Sequence, residues 1–143
     1  MLSLSDCNEI EFVMHPQINL EPKRPNFVYQ QIDFIHPTSV SFLTFRNFYT
    51  ASILIKYNAV LQAQDEWQHV MERQLMQHPN YEDDAQDEHV IRLNLTTVKS
   101  LRFYLFQNSP NWKSFALQNL KCFAIAESRS LVKLVCFLYA NYV

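Results

Sequence analysis

The sequence contains no glycine in its 143 residues, although average usage would give roughly ten in a chain of this length. This absence excludes the glycine-rich phosphate loops of P-loop and dinucleotide-binding proteins, because the backbone can approach a phosphate closely there only at glycine. Turns that need a positive φ must then use asparagine or aspartate. We expect six asparagines to serve this purpose: Asn8, Asn26, Asn58, Asn80, Asn108 and Asn111.

A surplus of positive charge is also missing. The chain has 12 Lys and Arg residues against 14 Asp and Glu residues, so its formal net charge is −2. Proteins that bind a nucleic-acid backbone displace its counterions with their own cations, so we predict no nucleic-acid partner. The longest apolar run, residues 131–139, is interrupted by Lys133. It is shorter than the roughly 20 residues that a membrane-spanning helix needs, and we predict no membrane span.

Cysteines are few, and their pattern favours a location inside the cell. Cys7, Cys122 and Cys136 are odd in number and widely spaced, whereas secreted chains more often carry an even disulfide framework. The first residues lack the basic start and apolar core of a signal peptide. We therefore expect a cytoplasmic protein.

Residue groupings that carry catalysis or hold metals are absent as well. The five histidines, at positions 15, 36, 69, 78 and 89, form no HxH, HExxH or Cys/His spacing, so no zinc site is predicted. Cys122 lies in an apolar run, where a buried thiol would be inert. We predict no catalytic residue, no cofactor and no metal, and we expect that the protein is not an enzyme.

The chain is instead rich in alternating apolar residues, which are typical of half-buried strands. Hydrophobic residues make up 48% of the sequence and aromatic residues 14%. The alternation is clearest in residues 49–57, 91–97 and 101–106, and six to eight short strands predict an all-β, antiparallel β-sandwich. We divide the chain into an extended lead-in (1–26), a sandwich domain (27–126) and an apolar tail (127–143).

Residues 100–123 contain two aromatic-rich runs on either side of Ser109-Pro110-Asn111. The second run is expected to turn back toward the first, so that the two form a strand pair. Its own conformation is ambiguous, because residues 112–125 fit either a helix or a strand with a bulge near Asn119. Residues 65–76 are ambiguous in the same way, since Asp65 and Gln68 resemble a capping box while alternation allows a strand.

Two groups of residues are candidates for contacts with a partner. The polar segment 78–88 has the composition of a solvated loop, and its acidic residues are better suited to a basic partner surface than to calcium, because the loop order and glycine of calcium sites are missing. Aromatic side chains in excess of the core would mark a protein interface. The candidate partner-binding residues are Glu82, Asp83, Asp84, Asp87, Glu88, Tyr104, Phe106 and Tyr139.

Two sequence blocks resemble the nicolin family, small proteins associated with the tubulin polyglutamylase complex and with ciliated tissue. The first is FLTFRNFYTASILIKY at 42–57, with its Phe-Tyr-Thr-Ala core. The second block contains Leu101-Arg102, Ser109-Pro110, Trp112 and Ser114-Phe115, and it closes with residues 120–123. The resemblance implies a galactose-binding-like jelly roll, strands in the ambiguous segments, and a subunit without catalytic residues.

On this basis we predict a non-catalytic adaptor or structural subunit that binds cytoskeletal proteins. Its partners would be subunits of a tubulin polyglutamylase complex, or ciliary or axonemal microtubules, and it would lie in the cytoplasm and cytoskeleton at a cilium, flagellum or ciliary base. The alternative is a jelly-roll module that binds a small ligand, either a carbohydrate or calcium, through its loops.

Overall fold

Eight antiparallel strands form the regular structure in a computed structural model that describes residues 7–21, 24–60, 63 and 66–125. No helix occurs in these described ranges, so none there could cross a membrane. The strands are β1 (Cys7–Ile10), β2 (Phe12–Met14), β3 (Ile18–Glu21), β4 (Arg24–Phe48), β5 (Ser52–Ala59), β6 (Gln68–Gln74), β7 (Glu88–Phe106) and β8 (Ala116–Ile125).

The strands pair in the order β1-β8-β4-β7-β5-β6, with β2 and β3 added to β4. The long strands β4 and β7 pair with each other over two stretches, and the register shifts between Asp33 and Phe42. This shift marks a bend in the sheet. On one side of the bend, where residues 27–33 of β4 pair with β7, β7 also pairs with β5. On the other side, residues 42–48 of β4 pair with β8 as well as with β7. The bend therefore divides one continuous sheet into the two layers of a sandwich.

The core lies between the layers, because each strand buries alternate residues. In β7, Leu101, Phe103 and Leu105 are fully buried, whereas Arg102 and the other intervening residues are half-buried on the opposite face. This pattern matches the predicted alternation. Buried residues that join the same core include Val28, Ile32, Leu43, Phe45, Ile53, Ile55, Ile91 and Leu117.

Residues 27–35 and 40–48 belong to the single strand β4. His36 and Pro37 lie at an exposed bend within it. The ladder with β7 is interrupted between Asp33 and Thr38, where Pro37 has no N–H to donate. The strand therefore continues through the proline, although its ladder with β7 is interrupted there.

The expected strand pair within residues 100–123 does not form. β7 and β8 are not neighbours, because β4 lies between them in the sheet order. Both sides of β7 are occupied, one by β4 and the other by β5. The connection 107–115 therefore crosses from one layer to the other, starting where Phe106 pairs with Phe27 and ending where Ala116 pairs with Phe48.

Both ambiguous segments contain strands. Residues 68–74 form β6, and residues 116–125 form β8. A bulge near Asn119 is confirmed: its φ is 54°, and the register of β8 with β4 shifts between Thr44 and Arg46. The bulge explains why Leu117 and Cys122, of opposite parity, are both buried.

The residues with positive φ are not the six expected asparagines. Among the described residues they are Tyr49 (59°), Asn94 (52°), Thr97 (53°) and Asn119 (54°). Three of them lie within strands, so this chain needs the left-handed region for strand irregularities more than for turns. Asparagine tolerates this region, but a β-branched residue such as Thr97 is strained there.

Replacing Thr97 with glycine should raise the free energy of unfolding by up to about 1 kcal/mol, because glycine removes the Cβ clash at positive φ. Urea denaturation would measure the change. The matched control is Thr96→Gly at a neighbouring position outside the positive-φ set, which should lose about 0.5–1 kcal/mol. Equal effects of the two substitutions would contradict the assignment of strain to Thr97.

The predicted lead-in, residues 1–26, contains three of the strands. β1 pairs with β8, while β2 and β3 pair with β4, so residues 7–21 extend both layers of the sandwich. The predicted tail, residues 127–143, lies outside the described residues.

Candidate functional site

Three connections meet at one end of the sandwich: residues 49–51 between β4 and β5, 75–87 between β6 and β7, and 107–115 between β7 and β8. Backbone hydrogen bonds join the first two of these connections. The Leu75 amide donates to the Ala51 carbonyl at 2.7 Å, and the Tyr49 amide donates to the Ala85 carbonyl at 2.9 Å. Ala85 is fully buried, so the segment predicted as a solvated loop is partly packed against the end of the core.

Gln107 links all three connections. It is buried, with 1% of its surface exposed. Its side-chain amide donates to the Tyr49 carbonyl and lies 3.5 Å from the Met76 sulfur, while its carbonyl oxygen accepts a hydrogen bond from the Ser109 amide at 2.9 Å. Because buried amides need such partners, this single side chain fixes how the loops sit relative to one another.

Trp112 is held by contacts on two sides. Its ring lies 4.6 Å from the Tyr49 ring, and its indole N–H donates to the Pro79 carbonyl at 2.6 Å. The side-chain amide of the neighbouring Asn111 donates to the Asn80 carbonyl at 3.2 Å. These contacts orient the indole within the end loops.

A hollow of about 530 Å³ opens beside this indole. Its polar groups include the exposed Asn108 and Lys113, the half-buried Asn26 and the buried Ser109. Concave sites that join an aromatic surface with a few polar groups are typical of small-ligand binding. The lining residues are Asn26, Gln107, Asn108, Ser109, Pro110, Trp112, Lys113 and Phe115.

Most of the acidic candidates lie in the 75–87 connection at this same end. Two of them have structural contacts: Asp84 accepts a hydrogen bond from the Gln77 amide at 2.8 Å, and Glu82 accepts one from the Tyr49 hydroxyl at 3.1 Å. Asp83 and Asp87 are exposed, as is Glu88 at the start of β7. Within the described part of the chain, no three His, Cys, Asp or Glu side chains are grouped so that they could hold a metal.

The aromatic candidates lie elsewhere. Tyr104 and Phe106 are half-buried on the outer face of β7, opposite the core. They contact Phe27, whose ring centroid lies 6.4 Å from that of Tyr104 and 4.1 Å from that of Phe106. Tyr139 lies outside the described residues. The acidic and aromatic groups are thus on different surfaces, and their partner role stays a prediction.

A Ser-Asp-His cluster occupies the outer face near the bend of β4. Asp33 accepts hydrogen bonds from Ser100 at 2.6 Å and Gln31 at 2.8 Å, and its other oxygen lies 2.5 Å from the ring nitrogen of His15. Burial acts to raise the pKa of Asp33, but the three hydrogen bonds and the His15 charge outweigh it and lower the pKa. The carboxylate sits between serine and histidine, so His15 is not placed to take a proton from Ser100 as a triad base would.

Two titratable groups, the half-buried His89 and the buried Cys122, have shifted pKa values because of burial. Burial, followed by the charge of Arg73, lowers the pKa of His89, although Asp87 and Asp84 act in the opposite direction. Its ring stacks on Phe45 at 5.3 Å, and its buried Nε2 atom has no hydrogen-bond partner among the described residues. Burial, with a smaller contribution from Glu9, raises the pKa of Cys122 to about 12, which fits the inert thiol expected from the sequence.

No protein-family model and no curated protein matches the sequence, but solved structures match the fold. A structure described as reduced XRCC1 bound to the catalytic domain of DNA polymerase β has a TM-score of 0.60 at 7% identity, covering 80% of this chain and 97% of that one. An F5/8 type C domain from Bacteroides fragilis has a TM-score of 0.57 at 9% identity, with coverages of 84% and 97%. The carbohydrate-binding module CBM32-3 of a Clostridium perfringens family 31 glycoside hydrolase has a TM-score of 0.53 at 15% identity, with coverages of 86% and 94%.

The chain therefore has an antiparallel, galactose-binding-like jelly-roll fold, and the predicted fold class is confirmed. The resemblance to the nicolin family stays a prediction, as do the cytoplasmic location and the expected lack of enzymatic activity.

The main functional prediction, an adaptor for tubulin-modifying complexes or microtubules, is corrected by these comparisons. F5/8 type C and carbohydrate-binding domains favour the alternative, a small-ligand jelly roll. The XRCC1 structure contains a protein partner, so protein partners in general stay compatible with the fold, but the tubulin complex has no support. At 7–15% identity the likeness establishes the fold alone, and the ligand must be argued from this chain's own residues.

The sequence contains one signal for the end hollow. Gln107 continues the buried parity of Leu101, Phe103 and Leu105, and a polar residue at a core parity indicates a buried amide that needs partners. That Trp112 lines a hollow together with Asn26 is not visible in the sequence, because the two residues are far apart in it.

Proposed function

We propose that the chain is a non-catalytic module that binds a carbohydrate in the end hollow. The observation that carries this proposal is the Trp112 indole, fixed beside Asn108 and Lys113 in a concave surface. The indole offers an apolar ring face to the C–H groups of a sugar. The amide and ammonium groups can donate to sugar hydroxyls, and the amide oxygen can also accept from them.

A neutral sugar fits this hollow better than a divalent cation does. A calcium site needs six to eight oxygen ligands, usually including carboxylates, whereas the residues that line the hollow include no carboxylate and one ammonium. The acidic side chains at this end belong to the neighbouring connection, where Asp84 and Glu82 hold loop contacts. We therefore propose the carbohydrate without calcium.

Binding should be tested by NMR titration and calorimetry with neutral hexoses, N-acetylhexosamines and their disaccharides. We expect at least one sugar to bind and to shift the Trp112 indole resonance. Asn108→Ala and Lys113→Ala, at exposed positions, should each weaken binding about tenfold, an effect of about 1.4 kcal/mol. Trp112→Ala should abolish binding.

The matched control is Trp67→Ala, since Trp67 lies on the outer sheet face and does not line the hollow. It should leave the sugar affinity unchanged. Failure of every sugar to bind at high millimolar concentration, or binding that is insensitive to Trp112, Asn108 and Lys113, would reject the proposed function.

A further inference from the structure

Arg102 contacts two aromatic rings on the outer face of the sheet. Its guanidinium carbon lies 4.1 Å from the centroid of Trp67 and 4.9 Å from that of Tyr29. Its Nε atom donates to the Gln31 side-chain oxygen at 2.8 Å. The two rings and the hydrogen bond at Nε orient the guanidinium, and its two terminal nitrogens have no hydrogen-bond acceptor among the described residues.

A second cation lies directly opposite the first. Lys56 of β5 pairs with Arg102 of β7, and its ammonium lies 5.3 Å from the Tyr104 ring centroid. Like charges at directly opposed positions of neighbouring strands destabilise a sheet. The aromatic rings offset part of this repulsion, but neither cation forms an ion pair with any carboxylate of the described residues.

Asp33, a carboxylate on the same face of β4, already has hydrogen-bond partners. Asp33 lies two residues beyond Gln31, the partner of Arg102, and it contacts Ser100, Gln31 and His15. It is therefore not available to neutralise Arg102. The two cations therefore lie on this aromatic surface without an ion-pair partner among the described residues.

Apolar side chains extend this surface. The Tyr29 and Tyr104 rings are 5.8 Å apart, and the aromatic row continues through Phe27 to Phe106. Ile18 of β3, directly opposite Tyr29, is 47% exposed. We name the surface formed by Ile18, Phe27, Tyr29, Lys56, Trp67, Arg102, Tyr104 and Phe106 the Arg102 face.

We propose that the Arg102 face docks a protein segment that presents an aspartate or glutamate between apolar side chains. The carboxylate sits between the guanidinium of Arg102 and the ammonium of Lys56, and the flanking apolar groups cover the tyrosine and phenylalanine rings. Aromatic residues and arginine are enriched in protein interfaces and in their energetic hot spots. This site is separate from the end hollow, so the proposal does not depend on sugar binding.

A protein suits this surface better than a nucleic acid does. The face has only two cations, and the chain carries a net charge of −2, so a polyanion would meet repulsion beyond the first phosphate. The surface is also a sheet face with a long apolar row instead of a concave pocket, which favours an apolar polypeptide over a sugar chain.

The probe is a display library of random dodecapeptides, selected on the full chain and counter-selected on its Arg102→Gln variant. We expect enrichment of peptides with Asp or Glu flanked by aromatic or aliphatic residues. By fluorescence anisotropy, an enriched peptide should lose about tenfold in affinity with Arg102→Gln, and by a similar factor when its own acidic residue is changed to the amide. Lys56→Gln should also weaken binding, which provides a second variant if the first is poorly folded.

Arg92→Gln is the matched control, because Arg92 lies on the same strand in the other layer of the sandwich; it should leave the affinity unchanged. The proposal is overturned if no acidic motif is enriched, or if the enriched peptides bind the Arg102→Gln and Arg92→Gln variants equally well. It is also overturned if labelled oligothymidylate or oligogalacturonate binds this face more tightly than the selected peptides, since the occupant would then be a nucleic acid or an acidic glycan.

Discussion

Replacing Phe103 with alanine should lower the free energy of unfolding by about 3–5 kcal/mol. Phe103 is fully buried at the centre of β7, between the equally buried Leu101 and Leu105. β7 is paired on both sides, so neighbouring strands cannot easily move into the space left by the ring. The loss then includes both the transfer of the ring and the cavity that remains.

Phe106→Ala is the matched control, because it removes the same side chain from the same strand on its half-buried outer face. The free energy of unfolding of this variant should fall by about 1–2 kcal/mol, because a half-buried phenylalanine loses less buried apolar surface when it is truncated. Both variants would be compared with the parent by urea denaturation, with Phe103→Leu added as a smaller truncation. Losses of similar size at positions 103 and 106 would contradict the placement of the core between the layers.

Such a difference between two faces of one strand is what alternation can predict. The parity of residues 101–106 indicated which side chains are buried, and the structure places them so. Alternation does not identify the neighbour of a strand, however. Residues 100–123 looked like a pair because they are close in sequence, whereas β4 enters between β7 and β8. The jelly-roll order depends on pairing across long sequence separations, which a local pattern does not contain.

The two candidate sites could not be predicted from local sequence patterns for the same reason. The Arg102 guanidinium carbon lies 4.1 Å from the centroid of the Trp67 ring, but the two residues are far apart in the sequence, so no local pattern indicates their contact. Likewise, Trp112 and Asn26 share a hollow only because the 107–115 connection crosses the open end of the sandwich. Composition correctly suggested aromatic residues beyond those of the core, and it could not show which of them face cations and which face a hollow.

The buried amide of Gln107 leads to the second large expected effect. Gln107→Leu keeps the approximate volume of the side chain but removes its donor to the Tyr49 carbonyl and its acceptor for the Ser109 amide. Each buried group left unpaired costs about 1–3 kcal/mol. We therefore expect the free energy of unfolding to fall by about 2–4 kcal/mol, measured by urea denaturation. The neighbouring exposed Asn108→Ala should change it by less than about 0.5 kcal/mol.

The Gln107→Glu variant distinguishes the loss of the hydrogen bonds from a change in side-chain packing. The glutamate keeps an acceptor for Ser109 but directs a carboxylate oxygen at the Tyr49 carbonyl, and burial raises the pKa of such a group above its value in the unfolded chain. The destabilisation should be full above the folded-state pKa and should shrink as the pH falls toward the unfolded value, because the protonated acid can donate to the carbonyl. The difference in the free energy of unfolding between the parent and the variant, measured at each pH, must therefore become smaller as the pH falls. A difference in the free energy of unfolding that does not change with pH would show that the side chain at position 107 does not donate to the Tyr49 carbonyl.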